Sequence, residues 1–459
     1  MTETVATFAP LDTGARALVL GLGRTGLSVA RYLARKGVAV RVADTRAQPP
    51  GAATLREQVP AAELRTGAFA TTLLDGCTHV VISPGLSVRQ PLLQEALRRG
   101  LPVVGDIELF AREAPAPVAA VTGTNGKSTV TTLVAALANA GGRRALAGGN
   151  LGEPALDLLE RPVPELYVLE LSSFQLETTY SLRTVTSTVL NVTPDHMDRY
   201  ATVADYAAAK ARIFDGCDVA VINADDAAVR AMPRAGQRVL SFSLVANDAD
   251  YTLGQVASKT AGSAPAPTIL RRGEPLLPLA AMRIRGLHNA ANAMAALAMA
   301  EALGLPLGPS LETLASFGGL PHRSQWVADV GGVHYVNDSK GTNVGATLAA
   351  VAGMSGPLVV IAGGDGKGQD FGELRAAFQG KVRHVVLIGR DAPVLETTLA
   401  GVCPTERATD MRAAVRAAQA AAQPGDTVLL SPACASLDMF RDYTHRGDEF
   451  AAAVRELAA

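Results

Sequence analysis

The sequence predicts an α/β fold of three domains, each built on a parallel sheet. Three observations predict it. The chain has 459 residues, which at roughly 150 residues per domain points to about three domains. Apolar strand-like runs alternate with Ala-rich helix-like runs from end to end, the pattern of strands joined by crossover helices. Three units each begin with a strand that enters a glycine-bearing turn.

The first unit opens with ARALVLGLGRTG. Residues 17–20 read as a strand, 27–36 as a helix ended by Gly37, and VAVRVAD as a second strand ending at Asp44. Strands follow at 78–83 and 101–105. The second unit opens with PVAAVTG and continues with strands at 165–171, 186–192 and 217–225. Residues 237–272 read differently. RVLSFSL and ADYTLGQVA look like β-strands, and AGSAPAP (261–267) a loop, together a small β insertion. The third unit follows GGLPHR, with strands at 333–338, 357–364, 383–389 and 426–431.

Composition narrows the function classes. Hydrophobic residues make up 48% and charged residues 19%, so a large core forms and wholesale disorder is excluded. Net charge is −1, from 42 basic and 43 acidic residues, which gives no general nucleic-acid or anionic-membrane surface. The first residues lack a basic stretch followed by a long apolar one, so no secretory signal is expected. The most apolar helical stretch, 289–305, carries Asn292 and Glu301 and falls short of the ~20 apolar residues that span a bilayer. Cys77, Cys217, Cys403 and Cys434 form no CxxC pair. Buried thiols in a reducing compartment are expected, not disulfides or a zinc site.

The chemistry concentrates after strands. In VAAVTGTNGKSTVTTL, the tail Gly126-Lys127-Ser128-Thr129 fits a phosphate-binding loop, whose backbone amides wrap phosphate and whose hydroxyl holds Mg²⁺. The usual first glycine is replaced by Val121, so the cradle is the shorter Gly123-Thr124-Asn125-Gly126-Lys127-Ser128. The helix that follows adds partial positive charge at its start. Such a loop needs a metal acid on a neighbouring strand. Glu170 ends the apolar run YVLEL, where an unpaired acid costs several kcal/mol; the plain alternative is a strand-end acid facing solvent. NVTPDHMDRY offers Asp195, His196 and Asp198 just past the next strand, where α/β ligands bind.

Gly21, Gly23 and Gly26, with Asp44 further on, have the form of a dinucleotide fingerprint. No hydride-transfer site accompanies them, and a nucleotide-bearing substrate explains them as well as NAD does. In the third unit, Asp338, Ser339, Lys340, Thr342 and Asn343 cluster after one strand, Asp365 and Lys367 after the next, and Ser431, Ser436 and Asp438 after a third. With Arg323, the lysines suggest an anionic ligand. His288, Asn289 and Asn292 open a helix, with Asn289 a candidate N-cap.

These motifs in this order resemble the Mur ligase family across residues 20–450. GTNGKS marks the wider family, whereas ELSSFQLE, DHMDRY and SPACASLDMF resemble its D-glutamate-adding member. The resemblance implies a Rossmann-like UDP-substrate domain (1–105), a central P-loop-type ATP domain (106–319) and a Rossmann-like amino-acid domain (320–459). It implies ATP-dependent joining of D-glutamate to UDP-N-acetylmuramoyl-L-alanine through an acyl phosphate, in cytoplasmic peptidoglycan precursor synthesis. ATP and two Mg²⁺ are the implied cofactors; the chain would act as a monomer, without nucleic acid or membrane.

By the same resemblance, Lys127, Glu170, His196 and Lys210 are catalytic. Ser128, Glu170, His196 and Lys210, the last as a carbamate, hold metal. Gly123, Thr124, Asn125, Gly126, Lys127, Ser128, Thr129, Asn289, Asn292, Arg323 and Asp338 contact ATP. Arg24, Thr25, Thr45, Arg46, Gly85, Asn150 and His196 match UDP-substrate positions, and Thr342, Lys367, Ser436, Leu437 and Tyr443 match D-glutamate positions. From the residues alone, Lys210 reads as a solvated helix lysine. Two departures from the family pattern stand out: Ser324-Gln325 after GLPHR, and Tyr443 where phenylalanine is usual.

Overall fold

The computed structural model describes residues 11, 13–257, 265–284, 286–354 and 356–458. Three sheets follow one another along the chain. The first contains β1 (Arg16–Leu20), β2 (Ala39–Asp44), β3 (Glu63–Thr66), β4 (His79–Ile82) and β5 (Val103–Val104) in the order β3-β2-β1-β4-β5. Every neighbouring pair is parallel. β1 and β4 are apolar and buried nearly throughout, as parallel strands covered on both faces must be. Strand order reverses between β1 and β4, which opens a crevice at their carboxyl ends.

The central sheet holds β6 (Val118–Thr122), β7 (Ala145–Gly149), β8 (Leu166–Glu170), β9 (Thr184–Val189), β10 (Cys217–Asn223), β11 (Arg238–Ser243), β12 (Tyr251–Val256), β13 (Ala266–Arg271) and β14 (Glu274–Pro278). Its order is β14-β13-β12-β11-β10-β9-β6-β8-β7. β6 lies between β8 and β9, so the turn after it faces the ends of both. The region read as a β insertion extends this same sheet. β11 pairs parallel with β10 and β12 parallel with β11, whereas β13 is antiparallel to both its neighbours, β12 and β14. The expected loop at 261–267 is partly a strand, because Ala266 and Pro267 pair with Val256 and Gln255; residues 261–264 lie outside the described residues.

The third sheet contains β15 (Gln325–Val330), β16 (Val333–Asn337), β17 (Leu358–Gly363), β18 (Val382–Ile388), β19 (Thr405–Arg407) and β20 (Thr427–Leu430), ordered β15-β16-β20-β17-β18-β19. β20 is parallel to both β16 and β17. The loops after these three strands therefore meet at one edge.

Two helices depart from expectation at their starts. The first begins at Arg24, not 27, directly after Gly23. The glycine turn thus ends inside the first helical turn and leaves that turn's amides free for a ligand. The helix Leu287–Ala302 is capped by Gly286, so Asn289 is not its N-cap but lies buried within it. That helix is apolar on most sides because it packs against the helix Lys127–Ala140 and β11. Among the described residues, no helix is long and apolar enough to cross a membrane. The four cysteines are free. Cys403 is only half-buried; the other three are buried as expected.

Candidate active site

The phosphate loop follows β6. Gly123 (φ 147°) and Gly126 (φ 85°) hold backbone conformations that L side chains rarely adopt. A Cβ on Gly126 would stand 2.4 Å from Asn292 Oδ1, so the glycine is needed for close approach as well as for its angle. The loop is tied to β9's end: Asn191 accepts from the Asn125 amide at 2.8 Å and donates to its carbonyl at 3.1 Å. Lys127 folds back to donate to the Gly123 and Thr124 carbonyls at 2.9 and 2.8 Å. Burial pushes its ammonium below the ordinary range, and Glu170 opposes that shift.

Glu170 is 3% exposed, which removes the solvent-facing alternative. One carboxylate oxygen accepts from Ser128 Oγ at 2.5 Å, the other from Asn150 Nδ2 at 2.6 Å. Arg323, from the connection to the third sheet, donates to Ser128 Oγ at 2.6 Å. Hydroxyl, carboxylate and guanidinium from three distant segments therefore converge at the head of the loop. Ser128 and Glu170 supply hard oxygen donors beside the phosphate cradle, the donor set Mg²⁺ uses together with phosphate oxygens and water.

Lys210 is not a solvated helix lysine. It is 1% exposed, donates to the Gly123 carbonyl at 2.8 Å and lies 4.3 Å from the centre of the Tyr206 ring. Burial drives its pKa well below the usual lysine range, and Lys127 adds to the shift. His196 has φ 57°, and its ring packs edge-on against Phe174 at 4.8 Å. Burial lowers its pKa while Asp195 opposes. Asp195 bridges to the third sheet, accepting from Asn343 at 3.1 Å and pairing with Lys367 at 3.4 Å. Its burial works to raise the carboxyl, but Lys367 and His196 together leave it lowered.

These groups line three adjoining cavities. Lys127, Asn150, Glu170, His196, Lys210, Thr342 and Lys367 line a central one of about 370 Å³. Asn289, Asn292, Arg323 and Asp338 line a second of about 280 Å³, which shares Asn125, Gly126, Arg323 and Lys340 with the first. Burial lifts Asp338 to about 6 and lowers Lys340 to about 8. Arg24, Thr25, Thr45, Arg46 and Gly85 line a third of about 310 Å³ at the β1/β4 crevice, and Pro84 and Gly85 belong to it and to the central cavity. Asp44 accepts from the Leu22 amide at 2.7 Å and from the Arg46 guanidinium, which holds the carboxyl down at about 2.

Some expected residues lie elsewhere. Asn150 lines the central cavity and not the crevice of the first sheet. Ser436, Leu437 and Tyr443 are not on the central lining; Leu437 is 72% exposed, and the Tyr443 ring lies 3.9 Å from the Lys340 ammonium. Asp365 and Asp438 are engaged locally with Arg390. Gln325 accepts from the His322 amide at 3.0 Å. Sequence reasoning missed Asn191, Asn223 and Phe174, which line the cavities. For the two asparagines the signal was a polar residue at the end of an apolar strand run in LNV and VIN.

Three parallel-sheet units joined at one phosphate-loop site define the class, and the chain belongs to the Mur ligase family. The Mur ligase MurD-like N-terminal domain matches residues 15–105, the Mur ligase middle domain 121–300, and the Mur ligase glutamate ligase domain 322–434. Among its relatives, the UDP-N-acetylmuramoylalanine--D-glutamate ligase of Methylococcus capsulatus is 51% identical over 98% of this chain and 96% of that protein. The protein of the same name from Nitrosococcus oceani is 51% identical over 97% of this chain and 98% of that protein. The fold is shared with the MurF ligase from Thermotoga maritima solved with ADP: TM-score 0.61, 16% identity, covering 100% of this chain and 99% of that one.

Proposed function

We propose that the chain is an ATP-dependent ligase that joins D-glutamate to UDP-N-acetylmuramoyl-L-alanine in peptidoglycan precursor synthesis. One observation carries the reading: the central cavity, lined by Lys127, Glu170 and Arg323, shares Arg323 with the second cavity and Pro84 and Gly85 with the crevice of the first sheet. A nucleotide, a long activated sugar and a small amino acid each have a compartment, and their reacting ends meet in the middle. The full-length relatives named above support the choice of substrates.

A carboxylate is a poor electrophile. Its oxygen attacks the γ-phosphorus of ATP, ADP leaves, and the resulting acyl phosphate carries a good leaving group. The amine of D-glutamate then attacks the acyl carbon, a proton is lost from nitrogen, and phosphate departs from the tetrahedral centre. Lys127 and Arg323 offer fixed positive charge where the transferring phosphoryl group gains negative charge. Asn289, Asn292 and Asp338 hold the nucleotide. Residues 1–105 bind the UDP-substrate through Arg24, Thr25, Thr45, Arg46 and Gly85; residues 106–319 bind ATP; residues 320–459 bind D-glutamate through Thr342 and Lys367. Ser436 and Leu437, in the loop after β20, and Tyr443, which opens the helix Tyr443–Ala458, reach that amino acid only if those segments move inward.

Ser128 and Glu170 would hold one Mg²⁺, and His196 with carbamylated Lys210 a second. Bound there, Mg²⁺ supplies neutralisation of the charge on the transferring phosphate. ATP, UDP-sugars and D-glutamate meet in the cytoplasm, which is the expected location. A monomer suffices, because all three cavities are built from one chain, and none of the chemistry calls for nucleic acid.

Phosphate release from ATP tests the reading, with UDP-N-acetylmuramoyl-L-alanine and Mg²⁺ present and D-glutamate, L-glutamate, L-lysine or no amino acid added. Release that needs D-glutamate and yields a heavier UDP-product is expected. Release with another amino acid overturns the substrate assignment, and release with none overturns the ligase chemistry.

A further inference from the structure

The arginine of DHMDRY has no part in the chemistry above. Arg199 nonetheless occupies a junction between the first and central units. Its Nη1 donates to the Pro84 carbonyl at 2.8 Å, 115 residues back in the chain. Its Nη2 donates to Glu177 at 2.5 Å, and its guanidinium lies 4.0 Å from the centre of the Phe174 ring. Both partners in the ion pair are largely shielded, 11% and 16% exposed, so this is not a solvated surface pair. The backbone is held too, since the Arg199 amide donates to the His196 carbonyl at 2.9 Å.

What Arg199 grips is the segment shared by two cavities. Pro84 and Gly85 line both the crevice of the first sheet and the central cavity. A ligand that reaches from one to the other passes them. The Phe174 ring under the guanidinium packs against the His196 ring, so one side chain fixes both the threshold and a wall of the reaction cavity. A planar guanidinium makes two divergent donations while stacking flat on a ring; a lysine ammonium does not.

We propose that Arg199 is a positioning residue that sets the span between the UDP cavity and the phosphoryl-transfer cavity, by locking Pro84–Gly85 to the His196 turn. The inference rests on the ligase reading. It makes a prediction that a merely structural role does not: a ligand confined to one cavity is indifferent to Arg199, and one that spans both is not. Misplacement of a reacting group by about 1 Å costs up to about 100-fold in rate.

The test titrates full-length wild type, Arg199→Lys and Arg199→Ala with UDP, with ADP and with UDP-N-acetylmuramoyl-L-alanine, and measures steady-state kinetics. Expected for both variants are UDP and ADP affinities within about twofold of wild type, whole-substrate affinity weakened about tenfold, and kcat lowered about 10- to 100-fold with the KM for ATP unchanged. Arg199→Lys guards against a folding defect in Arg199→Ala. Equal losses for all three ligands, or no loss for the whole substrate, overturn the proposal and leave the ligase reading intact. Wild type that binds UDP-N-acetylmuramoyl-L-alanine no better than UDP and releases no phosphate overturns the ligase reading and this inference with it.

Discussion

Lys210 shows how a single residue's meaning depends on burial. On a helix it reads as a solvated cation; in the fold it sits against the Gly123 carbonyl and the Tyr206 ring. Desolvation favours its neutral amine. A neutral amine adds to CO₂, forming a carbon–nitrogen bond, releasing a proton and leaving an anionic carbamate. Activity in CO₂-depleted buffer is therefore expected to rise on adding bicarbonate at constant pH. Lys210→Arg, always protonated, is expected to lose about 100-fold and gain nothing from bicarbonate. Wild type indifferent to bicarbonate would count against the carbamate.

At the scale of elements, the turn between β6 and the helix Lys127–Ala140 has no room for a side chain at Gly126. Gly126→Ala costs about 1–2 kcal/mol in backbone strain and displaces Asn292. ADP binding, followed by calorimetry, is expected to fall at least about tenfold while the unfolding midpoint drops only a few degrees. The helix Asp106–Glu113 offers a pH test. Its amino end favours a negative charge by less than about 2 kcal/mol, but Asp106 is buried. Desolvation wins over the bonds from Gln175 and the first amides, and the carboxyl rises from 3.8 to about 6. The native state therefore takes up a proton between those values, and stability falls as pH rises through that window. Asp106→Asn is expected to be more stable than wild type by up to about 3 kcal/mol above pH 7, the gain vanishing near about pH 4. Urea denaturation at the two pH values measures it.

Over the whole molecule, the polar links between the third unit and the central one include Arg323 to Ser128, Ser324 to His288, and Asn343 and Lys367 to Asp195. The connecting GGLPHR stretch and the residue after it carry positive φ at Gly319, His322 and Ser324. Such links form and break more readily than a continuous apolar interface, and loop residues of this kind absorb hinge rotation. Solution scattering is expected to report a smaller radius of gyration with an ATP analogue and UDP-N-acetylmuramoyl-L-alanine than without them. An unchanged radius would remove GGLPHR as the main hinge.

The sequence by itself determined the three α/β units, the phosphate loop and the acid of β8, because buried strands, glycine turns and strand-end polar residues leave local, periodic marks. It hid β3, β7, β13, β14, β15 and β19, short or half-exposed strands lying at or near sheet edges, where no continuous apolar run is required. Only the tertiary structure decided which side chains meet. Arg323 reaches Ser128 across 195 residues of chain, Arg199 reaches Pro84 across 115, and Asp195 receives Lys367 across 172. Docking of one unit on another has no period along the chain. Its partners are set by shape and charge once each sheet has formed.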